Sequence, residues 1–181
     1  MYPLVFVSLL LWHMASPLAV AQGKHLFILS GQSNMVGHRP QEAFLPAVEK
    51  ALGKENVIVV QHAVGGQSIQ RWYKKWTSPQ GVKPAITGDI YDQLMGKVNP
   101  FIRGKTLESV TFIWMQGEKD TQKWGSVYAV SLKGLYDQLS KDLERKDVNF
   151  VIGRISDHDL QNNSRPHWTM IREAQVKVAE S

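Results

Sequence analysis

Four short apolar runs separated by stretches of helical periodicity constrain this chain more than any other feature. The runs are His25 to Ser30, Asn56 to Gln61, Val110 to Met115 and Val148 to Ile152, each of strand length and dominated by β-branched, leucine or aromatic residues. Between the first two, Gln41 to Leu52 predicts a helix stopped by Gly53. A second helix is expected over Asp89 to Ile102, kinked or ended early by Pro100. Tyr128, Leu132, Leu135, Leu139 and Leu143 recur at spacings of three and four, marking one face of a long helix, and helix character returns from His167 to Ser181. Strands alternating with helices imply an α/β fold, a three-layer sandwich with a central, mostly parallel sheet flanked by helices. At 181 residues the chain suits one domain with one core. Arg71 to Thr87, rich in Trp, Lys, Pro and Gly, reads as a surface excursion.

In sheets of this kind ligand groups gather beyond the carboxyl ends of the strands. Three polar, glycine-bearing turns fall there: Gly31-Gln32-Ser33-Asn34, Gly65-Gly66-Gln67-Ser68 and Gln116-Gly117-Glu118. Ser33 follows the first run directly. A serine in a tight turn at a strand end can project its hydroxyl toward a base, with backbone N–H groups beside it to receive charge developing on a substrate oxygen. The motif alone also allows Ser33 to be a helix N-cap.

The rest of the chain narrows the function. Met1 to Ala21 carries no charged side chain, holds an apolar block from Leu4 to Trp12 and ends Ala19-Val20-Ala21 before Gln22. This pattern predicts a signal peptide over 1–21, followed by one domain over 22–181 and a secreted or periplasmic location. The apolar block falls short of the roughly 20 residues of a spanning helix, so no stable membrane insertion is expected. With no cysteine, the chain has no disulfide, thiolate nucleophile or cysteine metal site. The net charge of +5 comes from scattered Lys and Arg, densest at Arg71 to Lys75, with no continuous basic stripe. Nucleic acid is therefore not an expected partner. Neither a metal nor another cofactor is expected, because Asp157-His158-Asp159 has no further cluster to complete a shell.

The order Gly-Gln-Ser-Asn-Met, Gly-Gly-x-Ser-Ile, Trp-Met-Gln-Gly-Glu-x-Asp, with Arg172-Glu173-Ala174-Gln175 near the end, resembles the sialate O-acetylesterase-type branch of the SGNH hydrolases, related to carbohydrate esterase family six. The resemblance implies that Ser33 forms an acyl-enzyme, with its own N–H, the Gly66 N–H and the Gln116 side-chain amide as oxyanion donors. It leaves Glu118 with two roles, orienting the catalytic histidine or bracing the oxyanion loop by accepting backbone N–H bonds, and Asp120 as a cap of the turn or the following helix. The implied activity is that of an exported serine esterase removing O-acetyl groups from carbohydrate, sialate or an acetylated polysaccharide. The family's closing Asp-x-x-His block, which supplies the general base, has no counterpart here, and the last strand of the fold is expected to be missing with it. The alternative is accordingly a catalytically incomplete fragment, or a non-catalytic carbohydrate-binding remnant. Two further expectations concern substitutes and substrate. His158, just past the fourth run, lies at the correct end of the sheet to act as base, although an Asp-His-Asp run is more often a solvated or capping loop. Trp72 and Trp76 offer faces for sugar stacking and Arg71 or a neighbouring lysine a charge for a sugar carboxylate, or one tryptophan packs against the core while the lysines are solvated.

Overall fold

The computed structural model describes residues 23–181; the expected leader lies outside the described residues. Four strands, β1 (Lys24–Gly31), β2 (Val57–Ala63), β3 (Leu107–Met115) and β4 (Asn149–Ile152), form one sheet in the order β2-β1-β3-β4. Every pairing is parallel, with Ser30 opposite both His62 and Trp114, and Trp114 opposite Ile152, so the carboxyl ends align along one rim. Five helices accompany them: α1 (Ser33–Gly37), α2 (Phe44–Leu52), α3 (Asp89–Ile102), α4 (Gly125–Asp142) and α5 (Trp168–Ala179). Among the described residues no helix is long and apolar enough to cross a membrane.

Successive strand residues point to opposite faces, and the two faces differ. Leu26, Ile28, Ile58, Val60, Val110, Phe112 and Trp114 are all buried under α3 and α4. The α4 stripe joins them, with Tyr128, Leu132, Leu135 and Leu139 fully buried; each such leucine contributes roughly 1.5–3 kcal/mol by leaving water. Aromatic rings fill the centre, Trp72 standing edge-on to Trp114 at 5.2 Å and Phe112 stacking on Phe150 at 5.2 Å. The odd-numbered face is thinner. Phe27 meets Phe44 of α2 edge-on at 5.3 Å, yet α2 buries none of its residues fully, and Val57, Val59, Thr111 and Ile113 are only half-buried.

Three expectations about elements are corrected. Pro100 does not end its helix early, because it sits in the last turn, where one backbone bond is lost and the Asn99 carbonyl still accepts from Arg103 at 3.1 Å. The helix expected from Gln41 starts at Phe44, after a turn in which the Pro40 carbonyl accepts from Leu45 at 2.7 Å. The short α1, which opens on Ser33 itself, was not expected from periodicity, since five residues contain little more than one turn.

Candidate active site

The first turn is built by close contact between β1 and β3. A Cβ on Gly31 would lie 2.0 Å from the Met115 carbonyl oxygen, so glycine alone fits. The Gln32 N–H donates to that same carbonyl at 2.9 Å, and the Val36 N–H donates back to Gln32 at 2.9 Å, closing the first turn of α1. Gln32 continues the alternation of Ile28 and Ser30, and its side chain is buried. Ser33 follows as the first helical residue and is exposed. The N-cap position belongs to Gln32, so the N-cap reading of Ser33 is set aside.

The second turn is bonded to the first. The Val64 N–H donates to the Gly31 carbonyl at 3.1 Å. Gly66 has φ +69 and a Cβ there would meet nothing within 4 Å, so its glycine serves a left-handed backbone in open space. Arg71 steadies the turn from behind: its guanidinium takes both Asp89 oxygens at 2.6 and 2.5 Å and donates to the Gln67 side chain at 2.8 Å. Its hydrogen bonds to Asp89 hold that carboxyl below its ordinary value. Arg71 is thus already paired within the protein. Of the two readings of Trp72 and Trp76 the core one holds for both: they are 0% and 2% exposed. The Trp72 indole N–H donates to Ser30 Oγ at 3.0 Å, and Trp76 packs edge-on to Trp124 at 5.3 Å.

The third turn carries the joint between the other two. Gln116 extends the inward series Val110, Phe112, Trp114, and is 1% exposed. Its Nε2 donates to Asp120 Oδ2 at 2.5 Å and to the Gln67 carbonyl at 3.0 Å, with Gln32 Oε1 at 3.3 Å. Its Oε1 accepts from the Tyr128 hydroxyl at 3.0 Å. The two amide hydrogens are matched by the two shorter acceptors, so a substrate oxygen gains this donor only by displacing Asp120 or the Gln67 carbonyl, while Gln32 Oε1 also accepts from the Lys119 N–H at 3.2 Å. Asp120 is not a turn or helix cap, another correction. It is fully buried and accepts from Gln116 and from the Ile69 N–H at 3.0 Å, joining turns 51 residues apart in sequence. Burial pushes its carboxyl up to about 7, against the lowering effect of those two bonds. Glu118 Oε1 accepts from Asn34 Nδ2 at 2.6 Å, and its Oε2 is buried with no hydrogen-bond partner among the described residues. Glu118 therefore bonds the turn that holds Ser33 through a side chain, not through backbone N–H groups.

Among the described residues no histidine is hydrogen-bonded to the Ser33 hydroxyl. His25 pairs with Ser109 Oγ at 2.8 Å at the start of β1. His62, at the end of β2, borders a hollow of about 200 Å³ with Val36 and Lys97, and burial followed by the Lys97 charge lowers its pKa. The His167 N–H donates to the Thr121 carbonyl at 2.9 Å, ahead of α5. His158 is exposed, edge-on to Trp168 at 5.6 Å. Its neighbour Asp159 is spent on the N–H groups of Asn163, Ser164 and Arg165, at 3.0, 3.1 and 2.7 Å. The second acid of the Asp-His-Asp run thus closes its own loop, and among the described residues His158 has no hydrogen bond to either acid. No group of three or more His, Asp or Glu side chains is placed to hold a metal ion among the described residues.

The structure thus brings the three turns together and leaves Ser33 and Gly66 exposed beside one another's loops, with Gln116 beneath. Reading the sequence by motif missed Gln32, Asp120 and Tyr128 as members of the joint. Strand alternation continued past Ser30 and Trp114 would have placed Gln32 and Gln116 inward.

Residues 39–181 match the family model described as carbohydrate esterase, sialic acid-specific acetylesterase. No curated protein matches the chain at a significant level. Among solved structures, a protein from Arabidopsis thaliana is similar at 18% identity and a TM-score of 0.65, over 87% of this chain and 82% of that one. An alpha/beta hydrolase enzyme from the metagenome of Lake Arreo, Spain, aligns at 13% identity and TM-score 0.53, over 87% and 73%. The lipase/acylhydrolase from Enterococcus faecalis aligns at 10% identity and TM-score 0.52, over 87% and 71%. These three share the fold.

Proposed function

Because this chain belongs to the carbohydrate esterase, sialic acid-specific acetylesterase family, with the fold of SGNH acyl hydrolases, we propose that it removes O-acetyl groups from carbohydrate through an acyl-enzyme on Ser33. The substrate class is an acetylated sugar, sialate or a polysaccharide. The Ser33 oxygen attacks the ester carbonyl carbon and its proton passes to a base. The resulting oxyanion is held by the N–H groups of Ser33 and Gly66, with the Gln116 amide as a third donor in exchange for its bond to the Gln67 carbonyl. Collapse releases the sugar hydroxyl with the returned proton, and water then converts acetyl-serine to acetate. Glu118 braces the Ser33 turn through Asn34, the role its 2.6 Å bond favours over orienting a histidine.

One observation carries this reading. Ser33 is an exposed hydroxyl at the place where three strand-end turns are hydrogen-bonded to one another. Labelling with a fluorophosphonate probe tests it. Wild-type protein is expected to label and Ser33→Ala to remain blank, and free imidazole, which can act as the proton acceptor, is expected to speed the wild-type reaction. Labelling that survives Ser33→Ala overturns the proposal by placing the nucleophile elsewhere, and absence of labelling with and without imidazole overturns it in favour of the catalytically incomplete or carbohydrate-binding alternative. Export is part of the same reading, supported by the uncharged Met1 to Ala21. Amino-terminal sequencing of protein recovered outside the cytoplasm should begin at Gln22.

A further inference from the structure

We infer that Gln61 is a positioning residue for the nucleophile, a role that rests on the esterase reading: its side-chain amide ties the far end of α1, the helix that opens on Ser33, to β2. Five residues make little more than one helical turn, too few to persist on their own hydrogen bonds. α1 therefore keeps its place only through what it is tied to. Its amino end is tied to β3 and the third turn, by the Gln32 N–H on the Met115 carbonyl at 2.9 Å and the Asn34 amide on Glu118 at 2.6 Å. Met35, fully buried, anchors its middle. The last carbonyls of a helix have no partner within it. The outer face gives no packing in their place: Val36, three residues past Ser33 and on the same side of the helix, is 53% exposed beside the hollow that Gln61 also lines.

Gln61 supplies the missing partner. It lies at an odd-numbered position of β2, so its side chain leaves the sheet on the face opposite His62. Its Nε2 donates to the Met35 carbonyl at 2.7 Å and to the His38 carbonyl at 2.9 Å, spanning the last turn of α1. Both amide hydrogens are used, and both partners can only accept, so the amide has one orientation. The backbone's own closure there is the longer contact, the His38 N–H standing 3.3 Å from the same Met35 carbonyl. From Gln61, β2 runs on to Ala63 and into the turn that holds Gly66. One side chain thus fixes the helix that opens on Ser33 relative to the loop that carries the Gly66 N–H. Cutting the tie leaves α1 held at its amino end and free at the other, which shifts the hydroxyl relative to that N–H without removing a substrate contact.

Three readouts test this in the full chain. In wild-type protein, scalar couplings across hydrogen bonds should link Gln61 Nε2 to the Met35 and His38 carbonyl carbons. In Gln61→Met, which keeps the length of the side chain and loses both donors, amide exchange of Gly37 and His38 should speed about 10-fold or more while Ile28 and Phe112 in the strands keep their rates. Fluorophosphonate labelling with imidazole present should slow about 10- to 100-fold in its maximal rate in the same variant, with little change in half-saturation. Gln61→Lys, which returns donor hydrogens on a stem of similar reach, should recover part of both losses. If Gln61→Met does not fold, the wild-type couplings decide the tie, and labelling of Gln61→Asn, whose shorter amide cannot reach both carbonyls, decides its effect on Ser33. Missing couplings, exchange that rises equally in α1 and in the strands, or labelling unchanged in the variants overturn the inference. Wild-type protein that shows both couplings but whose Ser33 never labels would instead overturn the esterase reading and leave the tie standing.

Discussion

The two faces of the sheet are built from the same four strands and are not equally finished. On the even-numbered face Leu26, Ile28, Val60, Val110, Phe112 and Trp114 are sealed beneath α3 and α4, and the seal runs on past the strand ends into Gln32 and Gln116. On the odd-numbered face Phe27, Val59, Thr111 and Ile113 are half-buried, and Val151 is 50% exposed. The candidate chemistry sits where the two meet. Gln32 and Gln116 belong to the sealed side by strand parity, while Ser33, one residue further on, turns outward. Rigidity and access are thus supplied by opposite sides of one backbone, which lets an exposed hydroxyl rest on a fully packed base.

Truncating neighbouring side chains on opposite faces should separate the two most strongly. Phe112→Ala should cost about 3–5 kcal/mol in chemical denaturation. Ile113→Ala, on the next residue but the thin face, should cost about 1–2 kcal/mol, because its site is already partly hydrated. Equal losses would erase the distinction. Next comes the buried acid on the sealed side. A carboxyl whose value rises from 3.8 to about 7 on folding stabilises the native state most at low pH and loses that contribution as pH climbs through 7. The stability of wild-type protein relative to Asp120→Asn should therefore fall between pH 4 and 8, by at most about 4 kcal/mol, and a flat difference would show that the group is not held as described. A smaller effect is expected at the Arg71 tether. Asp89 is held low by Arg71, so its contribution is present above 3.8 and disappears as pH falls below it. Arg71→Met should cost under about 1 kcal/mol at neutral pH, since both partners are partly solvated and salt screens them. Smallest of all, Val151→Thr should stay within about 0.5 kcal/mol.

Much of this arrangement was legible from residues alone. The strands were found because apolar runs of strand length have few other uses between helical repeats, and the α4 stripe because Tyr128, Leu132, Leu135 and Leu139 obey helical spacing. The meeting of three turns followed from parallel topology. Other features lacked a local signal. The buried state of Trp72 and Trp76 has no periodic mark, since the segment is a single short turn followed by loop. Asp120 looks like any acid before a helix, and its partner Ile69 lies 51 residues earlier, so only the assembled fold reveals the bond. The inward placement of Gln116 was readable in principle, because it continues a series of alternating buried residues beyond the last apolar one.

The central position of β1 has a consequence for how the protein comes into being. Both neighbours of this strand are translated later: β2 pairs with it from Val57 onward and β3 only from Leu107 to Met115, whose final carbonyl holds the Gln32 N–H. A ribosome-bound chain that already displays Ser33 therefore lacks the carbonyl that holds its turn until more than eighty further residues have emerged and docked. On the proposed function, labelling of this serine would report docking of β3, not mere synthesis.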